Sequence, residues 1–328
     1  MRAIGVSEYG DPDVLTLGSY PIPEPEPNEI LVKVWATACN RADTLQRQGK
    51  YPAPPGASPI LGLEMAGEVV ASGSKSNKWK LGDRVCGLLS GGGHAQYVTI
   101  HEDLALPIPE AMSYKEAAAI PEVFLTAYQA LFWLGELKPG EQVLVHAGAS
   151  GVGTAAIQLA NLLGTEVYVT ASAPKHALCL ELGASLAIDY RQDDFVQVLS
   201  SRSREGGPDL ILDFVAAPYF QANLELLGLD GRLVMLALLG GGKLTQANLA
   251  PILRKRLRIM GSTLRNRTLT YKKELTQAFW EFAWPYFQNG KLKPVIHQTL
   301  AWTDIAEAHR TIEANQNAGK IILSVSHN

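Results

Sequence analysis

The chain has 328 residues, with 29 Lys and Arg against 32 Asp and Glu and a formal net charge of −3; that length predicts two domains rather than one core, and the charge balance gives no bias toward nucleic acid. Three cysteines, Cys39, Cys86 and Cys179, are far apart and odd in number, which points to reduced thiols and a cytoplasmic setting rather than a disulfide framework. No N-terminal signal pattern and no run near the ~20 apolar residues of a membrane helix is read, so a soluble protein with no membrane partner is expected.

Residues 1–121 carry valine-bearing runs such as Ile30-Leu31-Val32-Lys33-Val34-Trp35 and Glu68-Val69-Val70-Ala71. Turn clusters separate them: residues 21–27 with four prolines, Tyr51-Pro52-Ala53-Pro54-Pro55-Gly56, and Ser90-Gly91-Gly92-Gly93-His94. Short strands with this punctuation predict a compact β-rich domain.

A different pattern begins at Gln142-Val143-Leu144-Val145, a buried-strand run followed by a glycine turn through His146 to Gly153 and a helical stretch that Gly164 ends. Strand, tight turn and helix are the parts that hold a dinucleotide pyrophosphate. Gly148 lets the backbone come close, and Ser150, Gly151 and Val152 open a helix whose first N–H groups face the anion. The spacing Gly148-x-x-Gly151-x-Gly153 departs from the usual G-x-G-x-x-G, so its strength comes from the series that follows.

The second run, Glu166-Val167-Tyr168-Val169-Thr170-Ala171, selects the cofactor at its end. An NAD site places Asp or Glu about 20 residues past the glycines to accept from the ribose 2′-hydroxyl. Here stand Ser172-Ala173-Pro174-Lys175, a hydroxyl and a cation suited to a 2′-phosphate, so NADPH is expected. Thr170 precedes them, and Tyr190, closing the third run Leu186–Tyr190, faces the same phosphate in this reading. A solvated lysine and a packing tyrosine are the plain alternatives.

Runs at Leu210–Phe214, Leu233–Leu236 and Arg258–Met260 complete six strands of a doubly wound parallel sheet. Ligands sit beyond the carboxyl ends of such strands, which makes Phe214, Val215, Leu238, Leu239 and Gly240 candidates for lining the nicotinamide end. The basic residues Arg254-Lys255-Arg256, Arg258, Arg265 and Arg267 read as a solvated face. Helical spacing follows over Lys273–Phe287 and Ile305–Arg310, the latter opened by Thr303 or Asp304. A last strand, Lys320–Val325, would return to the N-terminal domain. The predicted organisation is therefore residues 1–121 with 263–328 as one domain and 122–262 as an inserted cofactor domain, with the active site in the cleft between them.

With these runs in place the sequence resembles the zinc-independent quinone oxidoreductases, the zeta-crystallin-like branch of the medium-chain dehydrogenase/reductase superfamily, over nearly its whole length. Within that branch it is most similar to the tumour-suppressor-inducible subgroup. The resemblance is carried by Asn40-Arg41-Ala42-Asp43, Gln46-Arg47-Gln48-Gly49, Pro54-Pro55-Gly56-Ala57-Ser58, Ile60-Leu61-Gly62-Leu63-Glu64, Ala95-Gln96-Tyr97-Val98, Ala117-Ala118-Ala119-Ile120-Pro121-Glu122 and Ser150-Gly151-Val152-Gly153-Thr154-Ala155-Ala156-Ile157-Gln158-Leu159.

The resemblance implies a GroES-like β-rich catalytic domain beside the Rossmann-type sheet, self-association as a homodimer or homotetramer through the cofactor domain, and hydride transfer from NADPH to a quinone. Zinc-using relatives have a cysteine where this chain has Asn40 and a histidine where it has Leu63, so no metal site is implied. By the same resemblance Asn40 and Tyr51 line the substrate side of the nicotinamide with Ser150 near by. Tyr51 is a candidate donor to the developing oxyanion, and Thr126, Gly319 and Lys320 resemble cofactor contacts. Two alternatives stay open: a reductase of conjugated enones or enoyl groups on the same fold, and a non-enzymatic crystallin-like or RNA-associated role.

Overall fold

The computed structural model describes residues 1–202 and 206–327. The chain divides into two units, Met1–Leu125 with Leu264–Asn328, and Thr126–Thr263.

In Thr126–Thr263 six strands form one all-parallel sheet in the order Leu186–Asp189, Glu166–Ala171, Gln142–Val145, Leu210–Asp213, Arg232–Met235, Arg258–Gly261. In chain order these are the third, second, first, fourth, fifth and sixth strands, a doubly wound sheet whose direction of growth reverses beside Gln142–Val145. Gln142–Val145 and Leu210–Asp213 are buried at every residue. Leu144, Ile188, Ile211 and Leu233 from the strands pack with Leu199, Leu224 and Leu227, each worth about 1.5–3 kcal/mol on burial.

The polar strand residues are paired: Gln142 Nε2 donates to Glu166 Oε2 at 2.7 Å and to the Tyr168 hydroxyl at 2.9 Å. The third strand stops at Asp189, one residue before the predicted end. There the backbone turns: the Asp189 carboxylate accepts the N–H of Arg191, and its carbonyl accepts those of Gln192 and Asp193.

In the other unit the eleven-residue strand Glu29–Cys39 is the hub. It pairs antiparallel with Glu64–Ser72, Tyr97–His101 and the C-terminal strand Lys320–Ser324. Two register shifts, at Leu31/Val32 and Val34/Ala36, bend it so that its two ends serve different neighbours. Lys320–Ser324 thus returns to the N-terminal β structure, and it lies between Glu29–Cys39 and the parallel strand Ile296–Ala301. The crossover between those last two strands is a 3-10 turn, Trp302–Asp304, then the helix Ile305–Glu313. Asp304 makes no side-chain cap; the buried indole of Trp302 and the buried Ile305, Ala308 and Ile312 fix the helix instead.

One stretch departs from the composition reading. Tyr114–Leu134 is 21 residues of near-continuous helix that match a membrane span in length and apolar content, with 72% of its most apolar window buried inside the protein. Small alanines and single polar residues hid that length from a search for unbroken large apolar runs.

Candidate active site

The glycine turn is shaped by packing as much as by any ligand. A Cβ on Gly148 would lie 2.6 Å from Val169 Cβ, and one on Gly153 would lie 2.4 Å from the Ala147 carbonyl oxygen. These two glycines therefore let the first strand, its turn and the helix Gly151–Asn161 approach the second strand. Ser150 caps that helix, its Oγ accepting from Gly153 N at 3.0 Å. Gly151 and Val152 occupy the first helical positions, where N–H groups have no intrahelical acceptor. Ala147 just before them has a φ of 51°, left-handed backbone that a non-glycine residue adopts only under constraint.

The constraint is a buried polar network. His146, fully buried, contacts Thr170 Oγ1 through Nδ1 at 3.0 Å and Asn223 Oδ1 through Nε2 at 2.8 Å. Asn223 Nδ2 donates to Asp213, whose carboxylate also accepts the N–H groups of Val215 and Ala216. Burial lowers the His146 pKa, against the pull of Asp213, so the ring is neutral at physiological pH. The Thr170 hydroxyl also takes the Ala147 N–H, and the residue is 1% exposed. Thr170, predicted as a cofactor contact, is turned into this network.

At the end of the second strand the predicted residues fall together with one that was missed. Ser172 precedes the turn Ala173–Lys175 and makes no side-chain cap there. Lys175 is half-buried, its pKa lowered by burial and then by the charge of Arg191. Arg191 lies beside Tyr190, its guanidinium 5.7 Å from a ring that is 43% exposed. Two cations and a hydroxyl suit a ribose phosphate, and Asp189, opposite Ala171, has its carboxylate turned onto the Arg191 N–H. Position alone could have found Arg191, since it follows the end of the third strand as Ser172 follows the second.

At the carboxyl ends of the fourth and fifth strands, Leu239 N donates to the Phe214 carbonyl and Gly240 N to that of Val215. Phe214 is buried, whereas Leu238 and Leu239 are 60% and 51% exposed. A Cβ on Gly240 would meet Pro218 and the Val215 carbonyl, so glycine is needed for this pairing. Thr126 is partly buried in the helix Pro121–Tyr128. Strand ends, helix start and phosphate-suited cations together fit a pyridine dinucleotide.

In the unit Met1–Leu125 with Leu264–Asn328, Asn40 is the centre of a buried charged cluster. Its Nδ2 donates to Glu64 Oε1 at 2.9 Å and to the Ala38 carbonyl, and its Oδ1 accepts from Lys320. Lys320 Nζ also donates to Glu64 Oε1 at 2.7 Å and to the Cys39 carbonyl at 3.4 Å, while Glu64 Oε2 accepts the Glu122 N–H at 2.9 Å. The three N–H donors of Lys320, expected by resemblance to meet the cofactor, thus have three acceptors within the unit. Gly319 enters the same strand with a φ of 77°. Burial opposes the Lys320 charge, but Glu64 and Glu122 outweigh it and hold its pKa above the ordinary value. Burial pushes the Glu122 carboxyl up to about 7.

Leu63 is buried at 4% exposure and offers no metal donor. Among the described residues no three His, Cys, Asp or Glu side chains are grouped to hold a metal ion. Tyr51 is partly buried beside Arg265, whose guanidinium carbon is 5.4 Å from the ring centroid. Burial raises the Tyr51 pKa, with Arg265 opposing and Glu122 adding, so its hydroxyl keeps its proton at neutral pH. Nothing in the sequence joins Glu64, Lys320 and Arg265 to Asn40 and Tyr51; the Ile60–Glu64 motif held Glu64 without showing its role.

Comparisons with known proteins agree with this architecture. Residues 26–110 match the alcohol dehydrogenase GroES-like domain, and residues 151–282 match the zinc-binding dehydrogenase family. The chain is 32% identical to the quinone oxidoreductase of Homo sapiens over 98% of its own length and 97% of that protein. Its fold is similar to Escherichia coli quinone oxidoreductase complexed with NADPH, with a TM-score of 0.89 at 30% identity over 99% of this chain and 100% of that one. It is also similar to the CurK enoyl reductase, with a TM-score of 0.88 at 29% identity over 99% of both chains.

Proposed function

The chain belongs to the medium-chain dehydrogenase/reductase superfamily as an oxidoreductase with quinone oxidoreductase relatives, and we propose that it uses NADPH to reduce quinones without a metal ion. The observation that carries the reading is the pair of strand ends in the cofactor unit. The helix start at Ser150-Gly151-Val152 suits a pyrophosphate, and Ser172, Lys175 and Arg191 suit a 2′-phosphate where an NAD site has a carboxylate.

When bound there, the dinucleotide supplies a hydride at its nicotinamide ring. Phe214, Val215 and the backbone of Leu238–Gly240 form the wall at the nicotinamide end in this reading, the Gly148–Gly153 turn holds the pyrophosphate in the middle, and Ser172, Lys175 and Arg191 hold the other end. Quinones accept hydride without Lewis-acid activation, which suits a site where Leu63 stands among the buried residues. Tyr51, protonated at neutral pH, donates to the acceptor oxygen as it becomes anionic. Asn40 positions the adjoining strand end through Glu64 and Lys320. A cytoplasmic location and self-association complete the proposal: Cys39, Cys86 and Cys179 are all buried free thiols, Arg258–Gly261 is the last strand in the order of the parallel sheet, and Leu249 and Leu253 in the segment before it are exposed.

The test is NADPH consumption against a panel of ortho-quinones and conjugated enones. The expected outcome is faster oxidation with the quinones, lowered by Tyr51→Phe, with NADPH affinity unchanged in that variant. Faster turnover of enones would select the second reading, enone or enoyl reduction, which the likeness to CurK enoyl reductase favours.

A further inference from the structure

Arg265 belongs to the basic concentration that composition reads as a solvated face, yet it is 6% exposed. Its guanidinium is anchored by neutral oxygens: Nε and Nη2 donate to the Ser90 carbonyl at 2.9 and 2.7 Å, and Nη2 to Gln46 Oε1 at 2.7 Å. Nη1 is buried without a hydrogen-bond partner. Beside it, Lys272 Nζ donates to Ser90 Oγ at 3.0 Å and to the Arg265 carbonyl at 2.7 Å. Among the described residues neither cation is ion-paired to a carboxylate. Burial lowers the pKa of both, with Tyr51 and Asp43 opposing at Arg265 and the Arg265 charge adding at Lys272.

A buried guanidinium with an idle N–H and no carboxylate in hydrogen-bond contact is unfavourable unless an anion completes it. The idle donor belongs to the guanidinium whose carbon lies 5.4 Å from the centroid of the Tyr51 ring. We infer that Arg265 Nη1, backed by the charge of Lys272, receives an anionic oxygen group of the acceptor beside Tyr51. The preferred substrate is then a planar aromatic quinone bearing a carboxylate or sulfonate. The aromatic part rests on the quinone reading; the anion subsite rests on Arg265 itself.

Two redox-inert probes separate the parts. Calorimetry on the full chain with naphthalene-2-sulfonate and the neutral naphthalene-2-sulfonamide needs no turnover, so it reports the subsite even if quinones prove poor substrates. The wild-type protein is expected to bind the sulfonate about tenfold more tightly than the sulfonamide, the size of one charge-assisted hydrogen bond. Arg265→Gln, whose amide still reaches toward the Ser90 carbonyl, should abolish that preference, and Arg265→Lys should restore part of it. Should Arg265→Gln fold poorly, Lys272→Met is expected to lower sulfonate affinity about two- to threefold while leaving sulfonamide affinity alone. Equal wild-type affinities for the two probes, or a preference that survives Arg265→Gln, would overturn the inference. In the same way, 1,2-naphthoquinone-4-sulfonate should show a lower KM than 1,2-naphthoquinone in the wild type, and equal KM values in Arg265→Gln.

Discussion

The glycine turn of one unit and the Asn40 cluster of the other handle charge by opposite means. At Gly148–Gly153 the charged partner would meet backbone: a capped helix start, two glycines whose missing Cβ atoms let the strand and helix close up, and a neutral His146 fixing the strand ends. At Asn40 the charges are the protein's own: Lys320 meets the buried Glu64 carboxylate, which also accepts the Glu122 N–H, while the Glu122 carboxyl itself is raised to about 7. The turn and cap of the first device lie within His146–Gly153, and Val169, Thr170 and Asn223 hold them from outside it. The second joins Asn40, just past the end of Glu29–Cys39, and Glu64, at the start of the neighbouring strand, to Lys320, 280 positions from Asn40. Local backbone recognition is sensitive to an added Cβ at its glycines, whereas a closed set of buried charges is sensitive to losing one member.

Lys320→Met is the severest way to break this contrast. It leaves the Glu64 carboxylate buried with only N–H donors, and breaking one side of a buried ion pair costs about 3–5 kcal/mol. Urea unfolding should show that loss, and adding Glu64→Gln should recover part of it. A loss under about 1 kcal/mol, the level of a surface pair, would mean that the cluster is not the closed balance described.

Gly153→Ala probes the backbone device. The new Cβ would press on the Ala147 and Gly148 carbonyl oxygens, at 2.4 and 2.6 Å, and overpacking of this kind costs about 1–3 kcal/mol. A lower melting temperature together with weaker NADPH binding is expected. Normal stability would show that the turn relaxes freely.

A smaller and more selective effect is expected at the phosphate end. Lys175→Ala and Arg191→Ala should each weaken NADPH binding about tenfold, the size of a charge-assisted contact, and leave NADH affinity nearly unchanged. Titrations showing equal loss for both cofactors would remove these cations from 2′-phosphate recognition.

The mildest test is pH-dependent. The Glu122 carboxyl is raised to about 7 in the fold from an ordinary value of 4.5. Its contribution to stability is therefore present below pH 4.5 and is lost as pH rises toward 7. Glu122→Gln keeps the neutral form, so its melting temperature should rise relative to wild type between about pH 4.5 and about pH 8. A constant difference across that window would show that Glu122 titrates normally.

The cofactor unit was legible because its information is local. The second strand ends where its run predicted, Ser150 caps the helix at the glycine turn, and all six runs became strands of one parallel sheet. Its departure was local too: the third strand ends one residue early because Asp189 folds its carboxylate back onto Arg191 N. In the other unit the sequence supplied the β content and the return of Lys320–Ser324, but not what the residues do once there.

The sequence by itself determined the order of elements, the glycine turn between the first strand and its helix, and the run Ser172-Ala173-Pro174-Lys175 after the second strand, because periodicity, glycine spacing and strand-end chemistry lie within short windows. Only the tertiary structure decided that Lys320 closes on Glu64 and Asn40, that Arg191 joins Lys175, and that Arg265 leaves its basic neighbours for burial beside Tyr51. Burial and charge balance are properties of residues brought together from distant parts of the chain. A lysine or arginine reads the same in sequence whether it ends in water or against a carboxylate, and its surroundings fix which.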